Sequence, residues 1–311
     1  MENLRGKIGA RWIFMIIVAL TVLVASYLLL VRTYLGQYLE NSALLGAQQV
    51  STADVDDALH NLHYISIGSL VLLMVIYAII GIVRRSWRVA FAAMGTLGVA
   101  AVTTEVLKKV VLPRPDLAPI YENNAHNSFP SGHTTIAMAI VVSLLLILSF
   151  RLRGWIVIPA MFWAIGIGFA TVTARWHRFS DTLGADAVVL AIGAVAALWL
   201  LSRNEMAREP SDSARIRPFI LVFLGLFGVG ALAVGVVLVV GTLNHWGVIE
   251  ALSQARAVGQ APDLQFHLDP VFNENMFYAA QTLAYGFSSL SAIWFWATLH
   301  RVGTVRAPQA R

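Results

Sequence analysis

The chain has 311 residues, 58% of them hydrophobic and only 13% charged, with a formal net charge of +5 and no cysteine. That balance lies outside the range of a soluble domain of this length. The missing cysteines exclude disulfides, thiolate metal sites and a cysteine nucleophile, and no basic run of the kind that binds nucleic acid is present.

The composition predicts an all-α polytopic membrane bundle, a single membrane domain over residues 1–311 with no internal repeat. Apolar runs of about 20 residues, enough to cross a bilayer, lie at 12–31, 64–83, 89–107, 134–150, 155–173, 182–201, 219–240 and 276–299, which makes eight expected transmembrane helices. The first run is too long for a signal-peptide core and no small-x-small site closes it, so it reads as a retained anchor. After it, STADVDDALHNLHYI offers Ser51 as an N-cap with Asp54 three residues on, then Val55, Leu59 and Leu62 at helical spacing, which predicts a short surface helix. WGVIEALSQARAV, before the last run, predicts another. Each is a candidate lid over a site or simple packing. The polar segment SRNEMAREPSDSARIRP ends in Pro218 and sets off six spans, about 12–203, from two more, about 219–299.

Positive residues near span ends are held on the cytoplasmic side. With both termini inside, fifteen of the 22 Lys and Arg fall on inner segments; the outer ones are Arg32, Lys108, Lys109, Arg114, Arg175, Arg178 and Arg256. Five of these crowd into two short stretches, KKVVLPRPD (108–116) and RWHRFSD (175–181). Outer positive charge gathered so tightly suggests a site.

A third stretch, SFPSGHTT (128–135), reaches the same expected surface. Gly132 lets the backbone approach a ligand, amides at a helix N-terminus point at an anion, Ser131 adds a hydroxyl, and His133 can carry a proton near neutral pH. His177 and Asp181 are four apart, so a helix starting nearby puts them on one face. A carboxylate that accepts from one imidazole nitrogen leaves the other to attack. Lys108, Lys109 and Arg114 supply phosphate-binding cations. Together these residues predict a phosphoryl-transfer site, two histidines in a cage of charge and amides, complete without a metal or cofactor. Read singly, each stretch has a plainer meaning: a Pro-Gly turn, a helix-start aspartate, lysines at lipid headgroups. Three weaker candidates accompany them. Glu105 is spaced to pair with Lys108 and Lys109, Asp186 sits inside the sixth run, where it can tether an arginine or make a helix-packing hydrogen bond, and His126 and Asn127 lie on the site loop.

The three stretches resemble the type 2 phosphatidic acid phosphatase superfamily, which includes bacterial lipid phosphatases and undecaprenyl diphosphate phosphatases. Its motifs run Lys-x6-Arg-Pro, Pro-Ser-Gly-His and Ser-Arg-x5-His-x3-Asp, and the second stands unchanged at residues 130–133. The resemblance implies a six-helix core with an outward-facing, metal-free site, in which His177 is the nucleophile, Asp181 its orienting partner and His133 the acid. It also implies that Arg114, a lysine, Ser131 and the Gly132 amide hold the phosphate. Two positions depart from the pattern. The motif lysine would fall at Leu107, which leaves Lys108 or Lys109 to serve, and the motif arginine would fall at Thr171. Arg175, one helical turn beyond Thr171 on the same face, and Arg178, beside His177, are the rival replacements.

The expectation is thus an integral protein of a bacterial plasma membrane whose partners are the bilayer and a lipid phosphate cleaved at the outer face. Phosphomonoester and polyprenyl diphosphate substrates both remain open, as does transfer to an acceptor other than water, and the oligomeric state is not fixed. A phospholipid carrier or flippase is the non-enzymatic alternative; it calls for charge near the bilayer midplane, whereas here the ionisable residues gather at span ends.

Overall fold

The computed structural model describes residues 2–121, 126–208, 217–257, 264–300 and 302–304. Its helices are α1 (Glu2–Ser26), α2 (Tyr34–Gly46), α3 (Thr52–His63), α4 (Ile67–Arg84), α5 (Trp87–Val106), α6 (Gly132–Ile147), α7 (Phe150–Thr173), α8 (Phe179–Ser202), α9 (Arg217–His245), α10 (Val248–Ala257) and α11 (Pro270–Thr298). The fold is the expected all-α polytopic bundle, with one antiparallel ribbon of β1 (Met206–Arg208) and β2 (Val302–Thr304).

Each predicted apolar run centres on a helix, although the run at 134–150 passes the end of α6 at Ile147 and the run at 64–83 starts before α4 does. Among the described residues, six stretches are long and apolar enough to cross a membrane: Gly6–Val31, Ile67–Arg84, Trp87–Val111, Leu152–Thr173, Phe179–Ser202 and Phe219–His245. The outer faces of α4 and α9 are apolar where they are exposed, through Ile67, Val71, Ile82, Phe219, Phe223 and Val237, as a lipid-facing surface requires. By contrast, α6 has 16 residues, about 24 Å at helical rise, against a hydrocarbon core of about 30 Å. It packs on α5, α7 and α8 and buries Met138, Val142, Leu145 and Leu146, so protein rather than lipid sets its length. The 29-residue α11 contains Asn273, Gln281, Ser288 and Ser289, polar residues that make it less apolar and that are buried among its neighbours.

α4 packs on α5, α5 on α6 and α6 on α7, while α8 lies against α1, α5 and α6. The end of α5, the start of α6, the end of α7 and the start of α8 meet at one end of the bundle. At the other end the polar segment after α8 is fastened down. β1 pairs with β2, Arg84 Nη2 donates to Thr304 O at 3.0 Å, Arg153 Nη1 donates to Val302 O at 2.7 Å, and Arg88 pairs with Glu205 at 3.2 Å.

Both predicted surface helices form. Ser51 Oγ accepts from Asp54 N at 3.2 Å to start α3, which packs Ala58 and Leu62 inward and lies on α7, while α10 lies beside α9. The sequence reading contained no helix at 34–46. There α2 starts on Thr33, whose Oγ1 accepts from Gly36 N at 3.0 Å, and packs along α11.

Candidate active site

The α7–α8 junction is built around one carboxylate. Asp181, in the first turn of α8, is fully buried; its Oδ2 takes the backbone N–H of Arg178 at 2.8 Å, the Ser128 hydroxyl, and His177 Nδ1 at 3.3 Å. An ionised Asp181 can only accept, so the hydrogen sits on Nδ1 and Nε2 is left as the reactive nitrogen. His177 is held from its backbone as well, because its N–H and that of Trp176 both donate to Thr171 O, at 3.1 and 3.0 Å.

This geometry changes the arginine question. α7 ends at Thr173, and Arg175 has left-handed backbone, φ 61°, and is exposed. The helical spacing that would carry Arg175 one turn past Thr171 on the same face is therefore broken. Thr171 is buried and its hydroxyl bonds within the helix, to Gly168 O at 2.7 Å. Arg178 is buried at the start of α8, where Nε donates to Asn41 Oδ1 at 2.9 Å and Nη1 donates to Ser128 Oγ at 3.2 Å and to His126 O at 3.5 Å. Burial, with Arg114 nearby, pulls its pKa below the usual arginine value, a range so high that the group keeps its charge.

Ser131 caps α6, its Oγ accepting from Thr134 N at 3.3 Å, while its own N–H donates to Asp181 O at 2.9 Å. With the bonds of Ser128 to Asp181 and Arg178, this ties the second stretch to the third. His133 follows in the first turn, with its ring centroid 6.4 Å from that of His177 and 5.3 Å from that of Trp176. Asn127 Nδ2 donates to the carbonyls of Lys108 and Leu112, both at 2.7 Å, which pins the loop to the end of α5. There the chain makes a π-turn, Leu107–Val111. Lys108 and Lys109 both pair with Glu105, at 3.2 and 2.9 Å, but the Lys108 side chain is 17% exposed and the Lys109 side chain 72%. Asp186 does not reach an arginine; it accepts from Ser288 Oγ at 2.7 Å and joins α8 to α11.

These groups line a pocket of about 1130 Å³ whose wall includes Lys108, Lys109, Arg114, Gly132, His133, Arg175, His177 and Arg178. All five crowded cations of the sequence reading face this one cavity. Neither α3 nor α10 contributes to its wall, so neither covers it as a lid in this structure. Among the described residues, no group of three or more His, Asp or Glu is arranged to hold a metal ion.

Sequence reasoning missed four polar residues. Ser128 bridges Asp181 and Arg178. The other three, Gln37, Glu40 and Asn41, stand behind the pocket on α2 and are all buried. Glu40 Oε2 lies 3.7 Å from Arg114 Nη1, and Glu40 Oε1 accepts from Ser180 N at 2.7 Å. Burial pushes the Glu40 carboxyl up, and Arg114 beside it offsets part of that rise. The available signal was the spacing of 37, 40 and 41, which puts three polar side chains on one helical face.

Residues 89–207 match the family described as the PAP2 superfamily. The matched segment contains all three stretches, 108–116, 128–135 and 175–181. No curated protein and no solved structure gives a significant match to the chain. The PAP2 segment runs from α5 to β1 and supports a phosphatase-type activity on phosphoesters. It leaves outside it α1 to α4 and α9 to α11, and with them the three polar residues of α2.

Proposed function

We propose that the chain is a membrane lipid phosphatase that cleaves a lipid phosphomonoester or diphosphate, without a metal, through a phosphohistidine on His177. The observation that carries this reading is the 3.3 Å contact of His177 Nδ1 with buried Asp181, set in the wall of a pocket that five cations share.

His177 Nε2 attacks phosphorus as the bond to the lipid oxygen breaks, and His133 gives its proton to that oxygen. Water then attacks the phosphohistidine, His133 takes the water's proton, the P–N bond breaks and phosphate leaves. Asp181 stabilises the imidazolium that forms. Arg114, Lys108, Gly132 and Arg178, all on the pocket wall, balance charge on the phosphoryl oxygens, where most of such catalysis resides; Ser131 is buried off the wall and caps the helix that presents Gly132. A lipid substrate is supported by the apolar side of the same pocket, Ile65, Ile67, Leu70 and Ile136, since Ile67 is 83% exposed on the face of α4 that meets the bilayer. The distribution of Lys and Arg supports a topology with both termini inside and the pocket at the extracytoplasmic face.

The test is phosphate release from a panel of lipid monophosphates and diphosphates by the purified protein in the presence of chelator. Wild type is expected to release phosphate and His177→Ala to lose at least about a thousandfold. Release that survives in His177→Ala, or that chelator abolishes, would overturn the mechanism.

A further inference from the structure

We infer that α2 is a positioning element for the pocket, with Glu40 holding Arg114 and Asn41 orienting Arg178, and that α11 serves to brace it. The inference rests on reading the pocket as a phosphate site, and it concerns residues outside the PAP2 segment.

Five bonds tie one face of α2 to the site. Gln37 Nε2 donates to Pro115 O at 2.6 Å, Gln37 Oε1 accepts from Leu117 N at 3.1 Å and Asn41 Nδ2 donates to Ala118 O at 3.0 Å. Together they strap the loop that carries Arg114. Asn41 Oδ1 takes Arg178 Nε at 2.9 Å, and Glu40 Oε1 takes the free amide of Ser180 at the start of α8. The guanidinium of Arg114 is buried, and its three nitrogens make no hydrogen bond to the described residues. Among the described residues its one ion-pair partner within 4 Å is the Glu40 carboxylate, at 3.7 Å. That is an economical arrangement for anion binding, because an ion pair that is too long for a hydrogen bond fixes the cation and leaves its donors for the ligand. Glu40 itself does not line the pocket, so it acts through Arg114.

Two buried arginines beside one aspartate would carry excess charge, and a buried unpaired charge is costly. Glu40 supplies the second anion. The opposite side of α2 lies on α11, and the approach is close: a Cβ on Gly46 would fall 2.1 Å from Asn273 O and 2.8 Å from Phe277 Cβ. The helices beyond the PAP2 segment thereby gain a task, fixing α2 at the depth where residues 40 and 41 meet the arginines.

The experiment measures affinity for inorganic phosphate and lipid-phosphate turnover in wild type, Glu40→Gln, Asn41→Leu and Asn41→Asp. Glu40→Gln keeps an acceptor for Ser180 and removes only the charge. Asn41→Leu removes the Arg178 acceptor, whereas Asn41→Asp keeps it; both lose the donor to Ala118. Glu40→Gln and Asn41→Leu should each weaken phosphate about tenfold and raise KM more than they lower kcat, with Asn41→Asp staying within about threefold of wild type. Unchanged or tighter phosphate binding in Glu40→Gln overturns the role of Glu40. Asn41→Asp as weak as Asn41→Leu overturns that of Asn41 and assigns it to the Ala118 loop. Wild type that binds phosphate but releases none from lipids sinks the proposed reaction and leaves the positioning result standing; wild type that binds no phosphate sinks both.

Discussion

Arg178 and Lys108 are the cations that the pocket geometry favours over their rivals. Arg178 is buried and hydrogen-bonded to Asn41 and Ser128, whereas Arg175 is exposed on left-handed backbone. A phosphate contact is strong where water is excluded and weak where it is not. Arg178→Ala is therefore expected to lower kcat/KM about a hundredfold or more and Arg175→Ala less than about tenfold. The same comparison applies to the lysines, since the Lys109 side chain is 72% exposed and that of Lys108 17%. Lys108→Ala should cost the larger factor in lipid-phosphate turnover, and equal losses would show that the two share the task. The sequence named both members of each pair but could not rank them. Residue spacing predicts who is near a site; rank depends on where α7 stops and how the π-turn after α5 aims each side chain.

The elements meet at points that single glycines control. A Cβ on Gly184 would fall 2.6 Å from the Phe129 ring, and Phe129 sits between Ser128 and the Pro130–Ser131 step that caps α6. Glycine to alanine inside a helix ordinarily stabilises by about 0.4–1 kcal/mol. Here overpacking opposes it by about 1–3 kcal/mol and wins, so Gly184→Ala should lower thermal stability and reduce turnover. Gly166, on α7, has nothing within 4 Å of its would-be Cβ, so Gly166→Ala should be neutral or stabilising; both shifts are read from a melting curve in detergent. The long helices were legible because a span of apolar residues has one meaning in a chain of this composition. The hidden helix, α2, has 13 residues and buries Gln37, Glu40 and Asn41, so its polar side looks like a loop until its partners across the bundle are known. The end of α7 was legible as well, since the apolar run stops at Thr173 where the helix stops; what the sequence did not show is the left-handed turn that follows, set by backbone bonds to Thr171 O.

At the scale of the whole molecule the pocket cations gather at one end, Arg84, Arg88 and Arg153 at the other, and apolar surface lies between them. The absence of cysteine makes orientation directly measurable. Single substitutions Asp56→Cys on exposed α3 and Ser202→Cys at the exposed end of α8 should behave oppositely toward a membrane-impermeant maleimide in intact cells. With the pocket outside, position 56 labels and position 202 is protected until lysis; the reverse pattern would invert the topology. The bracing of α2 by α11 is a second whole-molecule property. Gly46→Val, which forces a side chain into the backbone of Asn273, should cost activity although it lies outside both the pocket wall and the PAP2 segment.

The central claim is that phosphorus is carried by His177, and trapping of the intermediate tests it most directly. Wild type is mixed with a radiolabelled lipid phosphate, quenched in base, where a phosphohistidine survives, and digested for peptide mapping. The expected result is label on the peptide that contains His177 and none on His177→Ala. Phosphate released with no label on the protein, or label on a peptide without His177, would contradict it.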